Sequence, residues 1–109
     1  MDTNNYLSDL GKEIVSINKA NGWDCAKPEE WEDTNYKIPA LIALIQSEAS
    51  EALEAFRKDD KENFIEEMAD VIIRVLDCTA GLGMDIQAAI TAKLEKNRMR
   101  GFRHGGKRC

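Results

Sequence analysis

The chain is poor in proline, aromatics and histidine and has no long apolar run, and each shortage excludes something. Two prolines in 109 residues leave helices free to run unbroken. Runs of alternating polarity, the mark of half-buried strands, are also missing. The expectation is an all-α chain. No apolar stretch approaches the roughly 18 residues needed to cross a bilayer as a helix. The opening MDTNNYLSDL has neither a basic start nor an apolar signal segment, so a cytoplasmic location is expected. The one histidine, His104, sits among glycines near the end and reads as an anion contact or a solvated group. Its isolation also excludes a ferritin-like di-metal oxidoreductase, which requires Glu-x-x-His on facing helices. The three cysteines, Cys25, Cys78 and Cys109, have no metal-ligand spacing and cannot all pair within one chain, so they read as reduced thiols. Cys78 is expected in the core.

What is present fits one soluble domain over residues 1–109, with 43% apolar and 32% charged residues. The net charge of −5 is unevenly spread. Residues 93–109 hold seven Lys or Arg against one acid, Glu95, for +6; the rest of the chain therefore carries −11. An acidic body argues against a nucleic-acid polymer as partner. It leaves room for a small anion held between a metal and the basic end.

Four helices are expected. The first covers 4–21, with Leu7, Leu10, Ile14 and Ile17 at helical spacing, Thr3 or Asn4 as cap, and Gly22 as its terminator. Residues 23–37 read as irregular, with Trp23 and Trp31 bracketing Pro28. A loop this long is usually functional or disordered, and two tryptophans argue against disorder. The second helix covers 39–58 and the third 61–80, joined by a turn and cap at Asp59-Asp60. The third is apolar over much of its circumference, which requires cover on most sides and suggests self-association. Gly81 and Gly83 break the chain, Asp85 caps a fourth helix over 85–100, and residues 101–109 form a flexible basic tail.

Two acidic pairs stand out, Glu48-x-x-Glu51 and Glu67-x-x-Asp70. Residues three apart share a helix face, so each pair is a two-pronged claw. With Glu48 at zero, Leu41 falls at about +20°, Leu44 at about −40° and Ala52 at about +40°. The first claw thus sits within the apolar stripe. With Glu67 at zero, Val71 lies at about +40° and Phe64 at about +60°, so the second claw borders an apolar arc. Four carboxylates turned inward repel one another unless they share a cation. An all-oxygen ligand set suits Mg2+, with Mn2+ as a substitute. On the fourth helix Lys93, Asn97 and Arg100 continue the apolar stripe begun by Ile86 and Ile90, as expected of an inward phosphate-binding face. Glu54, Glu62 and Glu66 read as solvated. Asp77 reads as the partner of Arg74 three residues before it. Either acidic pair alone would be ordinary surface composition. A non-catalytic helical interaction module is therefore the rival reading.

Taken together, these strings resemble the MazG-like, all-α nucleoside triphosphate pyrophosphohydrolases. LIALIQSEASEALEAFRK is similar to that family's first metal helix, EEMADVIIRVLD to its second, and GMDIQAAITAKLEKNRMR to its last; the ending RHGGK is similar to that of many short members. The chain departs from many members at Ser47, where they carry a further acid. The resemblance implies a four-helix MazG-like bundle assembled as a dimer or tetramer, with active sites near subunit contacts. It also implies Mg2+ held by Glu48, Glu51, Glu67 and Asp70, and cleavage of a (deoxy)nucleoside triphosphate between its α and β phosphates. Glu51 is the candidate to take the proton of the attacking water. Lys93, Asn97 and Arg100, with Arg103 and Lys107 from the tail, are the candidates to hold the phosphates. Trp23 and Trp31 are the candidates to stack on the base.

Overall fold

The computed structural model describes residues 5–32 and 36–100. They form four α-helices: α1, Tyr6–Ala20; α2, Lys37–Arg57; α3, Lys61–Gly81; and α4, Ile86–Met99. No strand occurs among the described residues, and no described helix is long and apolar enough to cross a membrane.

The frame is the antiparallel α2–α3 hairpin. Lys58–Asp60 makes the turn, with Asp59 in the left-handed region at φ 55°. Asp60 then caps α3 by accepting the backbone N–H of Asn63 at 3.1 Å, filling one of the orphan donors of the first turn. Asp85 does the same for α4 through Ala88 at 3.0 Å. It also accepts a hydrogen bond from Ser8 at 2.7 Å, which fastens the start of α4 to α1. The cap expected at Thr3 or Asn4 lies outside the described residues. Asn5 stands at the N-cap of α1 and makes no side-chain cap bond.

Helices α1 and α3 end alike. Gly22 and Gly83 take φ of 84° and 74°. In each case the glycine N–H and the next N–H reach back to helix carbonyls: Gly22 to Lys19, Trp23 to Asn18, Gly83 to Ala80 and Met84 to Thr79. This paired closure needs a residue free to be left-handed. Gly81, expected just past the end of α3, is its last residue. A Cβ there would come within 2.7 Å of the Ala26 carbonyl oxygen, so this glycine lets the loop after α1 lie directly on α3.

The described part of that loop, expected to be irregular, has some regular structure. It contains a short 3₁₀ helix, Pro28–Glu32, whose first turn closes when Glu30 accepts the Lys27 N–H at 2.8 Å. Lys37 ties the loop to α2 by donating to the Cys25 carbonyl at 2.8 Å and pairing with Asp24 and Glu30 at 2.8 and 3.1 Å. The Lys37 hydrogen bond holds the Asp24 carboxyl below its ordinary range. Ala26 then packs with Cys78 and Leu82, against Ile38 and Leu41. Cys25 and Cys78 are both buried free thiols. Burial pushes both up from the ordinary thiol value, which keeps them protonated and unreactive.

The core is thin. No large side chain is fully enclosed among the described residues. Leu53, Phe56, Ile65, Ile72, Leu94 and Met99 are all exposed, and every side chain of α4 from Ala88 onward is exposed. The inward face expected of α4 is therefore absent within one chain. It packs mainly against α1 and α3, and in its first turn the Gln87 side chain accepts the Leu7 N–H at 2.8 Å.

Candidate metal and phosphate site

Antiparallel pairing of α2 and α3 brings the two claws together midway along the hairpin. One oxygen from each of Glu48, Glu67 and Asp70 lies within 4.8 Å of the others. Opposed ligands on a divalent cation stand about 4–5 Å apart, twice a bond of about 2.0–2.6 Å. The spacing is that of a set able to hold one ion. Glu51 is not in this trio. It is exposed, but close enough to Glu48 and Glu67 to perturb both.

Two features mark the cluster as strained without a cation. First, Glu48 is 8% exposed, and its Oε2 and that of Glu67 are buried with no hydrogen-bond partner. An orphaned buried acceptor ordinarily costs about 1–3 kcal/mol. Second, the Glu67 carboxyl is raised from 4.5 to about 7 by contact with Glu51 and then Glu48, with burial and their negative charges adding to it. Among the described residues, Arg74 supplies a counter-charge. Arg74 Nε donates to Glu48 Oε1 at 3.0 Å, and this bond, outweighing burial, holds Glu48 below its ordinary value.

The Arg74 contact corrects one expectation. Arg74 pairs with Glu48 across the hairpin rather than with Asp77 on its own helix. Asp77 instead accepts the Asn18 side-chain amide at 3.0 Å, linking α3 to the end of α1. The sequence did carry a signal for Arg74. It lies seven residues beyond Glu67 and four beyond Asp70, about −20° from Glu67 around the helix, and so on the claw's own face.

The cluster opens into a cleft of about 240 Å³ lined by Glu48, Asp70, Arg74, Asp77, Asn18 and Trp23, among others. Trp23 is 64% exposed, so its ring is available at the rim. Trp31, on the 3₁₀ helix, is also exposed but does not line this cleft. On the other side of the cluster, Glu51 and Glu67 border a smaller hollow with Lys58 and Asn63, two polar residues not singled out from the sequence. Lys93, Asn97 and Arg100 stand exposed on α4 and do not line the cleft. Arg103 and Lys107, like His104 and Cys109, lie outside the described residues.

An all-helical hairpin carrying ExxE opposite ExxD is the architecture on which the comparison with known families bears. Residues 37–102 match the MazG nucleotide pyrophosphohydrolase domain. The matched segment takes in α2, α3 and α4 and is more than half of the chain, so the chain belongs to the MazG nucleotide pyrophosphohydrolase domain family. No curated protein and no solved structure matches it.

Proposed function

We propose that the protein hydrolyses (deoxy)nucleoside triphosphates at the α–β phosphate bond, yielding a nucleoside monophosphate and pyrophosphate, as a house-cleaning activity on the nucleotide pool. The observation that carries this reading is the pair of buried, partnerless carboxylate oxygens on Glu48 and Glu67, within a three-acid cluster of a MazG-family chain. Such oxygens are supplied with a partner if Glu48, Glu67 and Asp70 hold Mg2+, or Mn2+ in its place, with Glu51 completing the set. Bound there, the ion would supply neutralisation of phosphate charge and acidification of water.

The chain's own groups do the rest. Glu51, exposed beside the trio, would accept the proton of the attacking water. Trp23 offers a flat apolar face at the rim of the cleft, on which a base stacks at little entropic cost. Trp31 would join it only if the 3₁₀ segment closed over the same cleft. Lys93, Asn97 and Arg100, with Arg103 and Lys107 of the tail, carry the positive charge suited to the pyrophosphate leaving group.

Those α4 groups need a neighbour to bring them to a site, and so does the exposed apolar surface of α2, α3 and α4. A homodimer, or two dimers forming a tetramer, meets both needs by covering the faces with a second copy. Sedimentation of the pure protein tests the assembly; a monomer at micromolar concentration refutes it. Pyrophosphate release from a panel of deoxy, ribo and modified triphosphates, in Mg2+ and in EDTA, tests the activity. No turnover of any member in Mg2+ refutes it.

A further inference from the structure

Arg74 has no role in the reading so far, and its geometry gives it two. It spends one donor, Nε–H, on Glu48 Oε1 at 3.0 Å. That bond fixes a carboxylate whose other oxygen, Oε2, is buried and without a partner, in a residue that brings one oxygen close to those of Glu67 and Asp70. Neither Nη1 nor Nη2 makes a hydrogen bond with a described residue. The Arg74 side chain keeps 34% of its surface exposed and lines the same cleft as Trp23. Among the described residues lining that cleft it is the lone cation, facing the carboxylates of Glu48, Asp70, Asp77 and Asp24. Asp77 is engaged by Asn18 and Asp24 by Lys37. An anionic ligand entering this cleft therefore has one guanidinium to meet.

We infer that Arg74 is both the positioning residue for Glu48, through Nε, and a phosphate-binding residue of the cleft, through its Nη groups. The second role rests on the nucleotide reading above; the first does not. A planar guanidinium can serve both sides at once because its donors point along fixed, divergent directions. A lysine at this position has one ammonium group and can turn to the carboxylate or to the phosphate. A carboxylate held on one oxygen also presents the other in a defined direction. Partners that orient a ligand in this way typically change metal affinity or activity about 10–100-fold when lost.

The test uses Arg74→Ala, Arg74→Lys and Arg74→Gln in the full chain, each checked for folding by circular dichroism. Calorimetry with Mg2+ alone, without nucleotide, reads the first role. Arg74→Ala and Arg74→Gln should weaken Mg2+ about tenfold or more, and Arg74→Lys should recover most of that loss. Steady-state kinetics with the preferred triphosphate reads the second role. KM should rise about tenfold or more in all three variants, including Arg74→Lys, whose metal affinity is near normal. Unchanged Mg2+ affinity and KM in Arg74→Ala would overturn the inference. Tighter Mg2+ binding in Arg74→Ala would also overturn it, since Arg74 would then be competing with the ion. If the Ala variant does not fold, the Lys variant still decides, because equal KM and Mg2+ affinity to the parent contradict the two-sided role. A wild-type chain that binds Mg2+ in an Arg74-dependent manner yet turns over no nucleotide would sink the nucleotide reading while supporting the hold on Glu48.

Discussion

Glu48 and Glu67 face each other across the α2–α3 seam, and each buries one carboxylate oxygen that no donor reaches. They respond to the crowding in opposite ways. Glu48 is kept ionised by Arg74, whereas Glu67, beside Glu51 and Glu48, is pushed up to about 7. The pair divides the pH axis between them.

In metal-free buffer, stability should fall as pH rises from about 4.5 to about 7. Over that window folded Glu67 holds a proton that the unfolded chain has released, so unfolding releases protons and raising the pH favours it. Glu48 acts in a different window. Its folded value is depressed, so its contribution is present above its ordinary value of about 4.5 and is lost on acidification below it. Melting temperatures in EDTA from about pH 2 to about pH 8 check both slopes. Glu67→Gln should flatten the upper window, and saturating Mg2+ should remove it.

Removing a ligand should separate activity from stability. Asp70→Ala and Glu67→Gln should each reduce turnover by more than about a hundredfold. Above about pH 7, where Glu67 is ionised, both should leave the metal-free melting temperature unchanged or higher, because a like charge is gone. Glu48→Ala should lose activity equally but melt lower, by about 1 kcal/mol, since Arg74 is left without its partner. Turnover and thermal melts of the three variants check this, and equal stability in all three would count against the Arg74–Glu48 contact.

Much of this was legible in the chain. The four helices fall within two residues of the boundaries expected from periodicity, because Gly22, Asp60, Gly83 and Asp85 are chemically suited to ends. The convergence of Glu48, Glu67 and Asp70 was readable because a short turn forces α2 and α3 antiparallel. Three things were not. The Arg74–Glu48 bond joins different helices 26 residues apart, and local spacing favoured the nearer Asp77. The order of the loop after α1 depends on one lysine, Lys37, contacting several loop groups. The exposed setting of Lys93, Asn97 and Arg100 depends on which neighbours α4 packs against, which periodicity within a helix does not encode.

Gly81→Ala should be costly for a residue so near a helix end. The new Cβ would meet the Ala26 carbonyl oxygen at 2.7 Å, forcing apart α3 and the loop that carries Trp23. A loss of about 1–3 kcal/mol is expected from such overpacking, along with a higher KM as the Trp23 side of the cleft shifts. Urea denaturation and steady-state kinetics check the two effects.

Asp60→Ala should cost about 1 kcal/mol through loss of the α3 cap without moving KM, because Asp60 lies outside the Trp23 cleft. Asp85→Ala should cost at least as much, since it also frees Ser8 of α1. Chemical denaturation ranks the two.

The most direct test of the central claim is calorimetry with a non-hydrolysable nucleoside triphosphate analogue, in Mg2+ and in EDTA, on the parent chain and on Asp70→Asn. If inward carboxylates share an ion in order to hold a triphosphate, the parent should bind the analogue in Mg2+ only, and Asp70→Asn should bind it poorly in either buffer. Equal binding in EDTA, or no binding by the folded parent in Mg2+, would contradict the account.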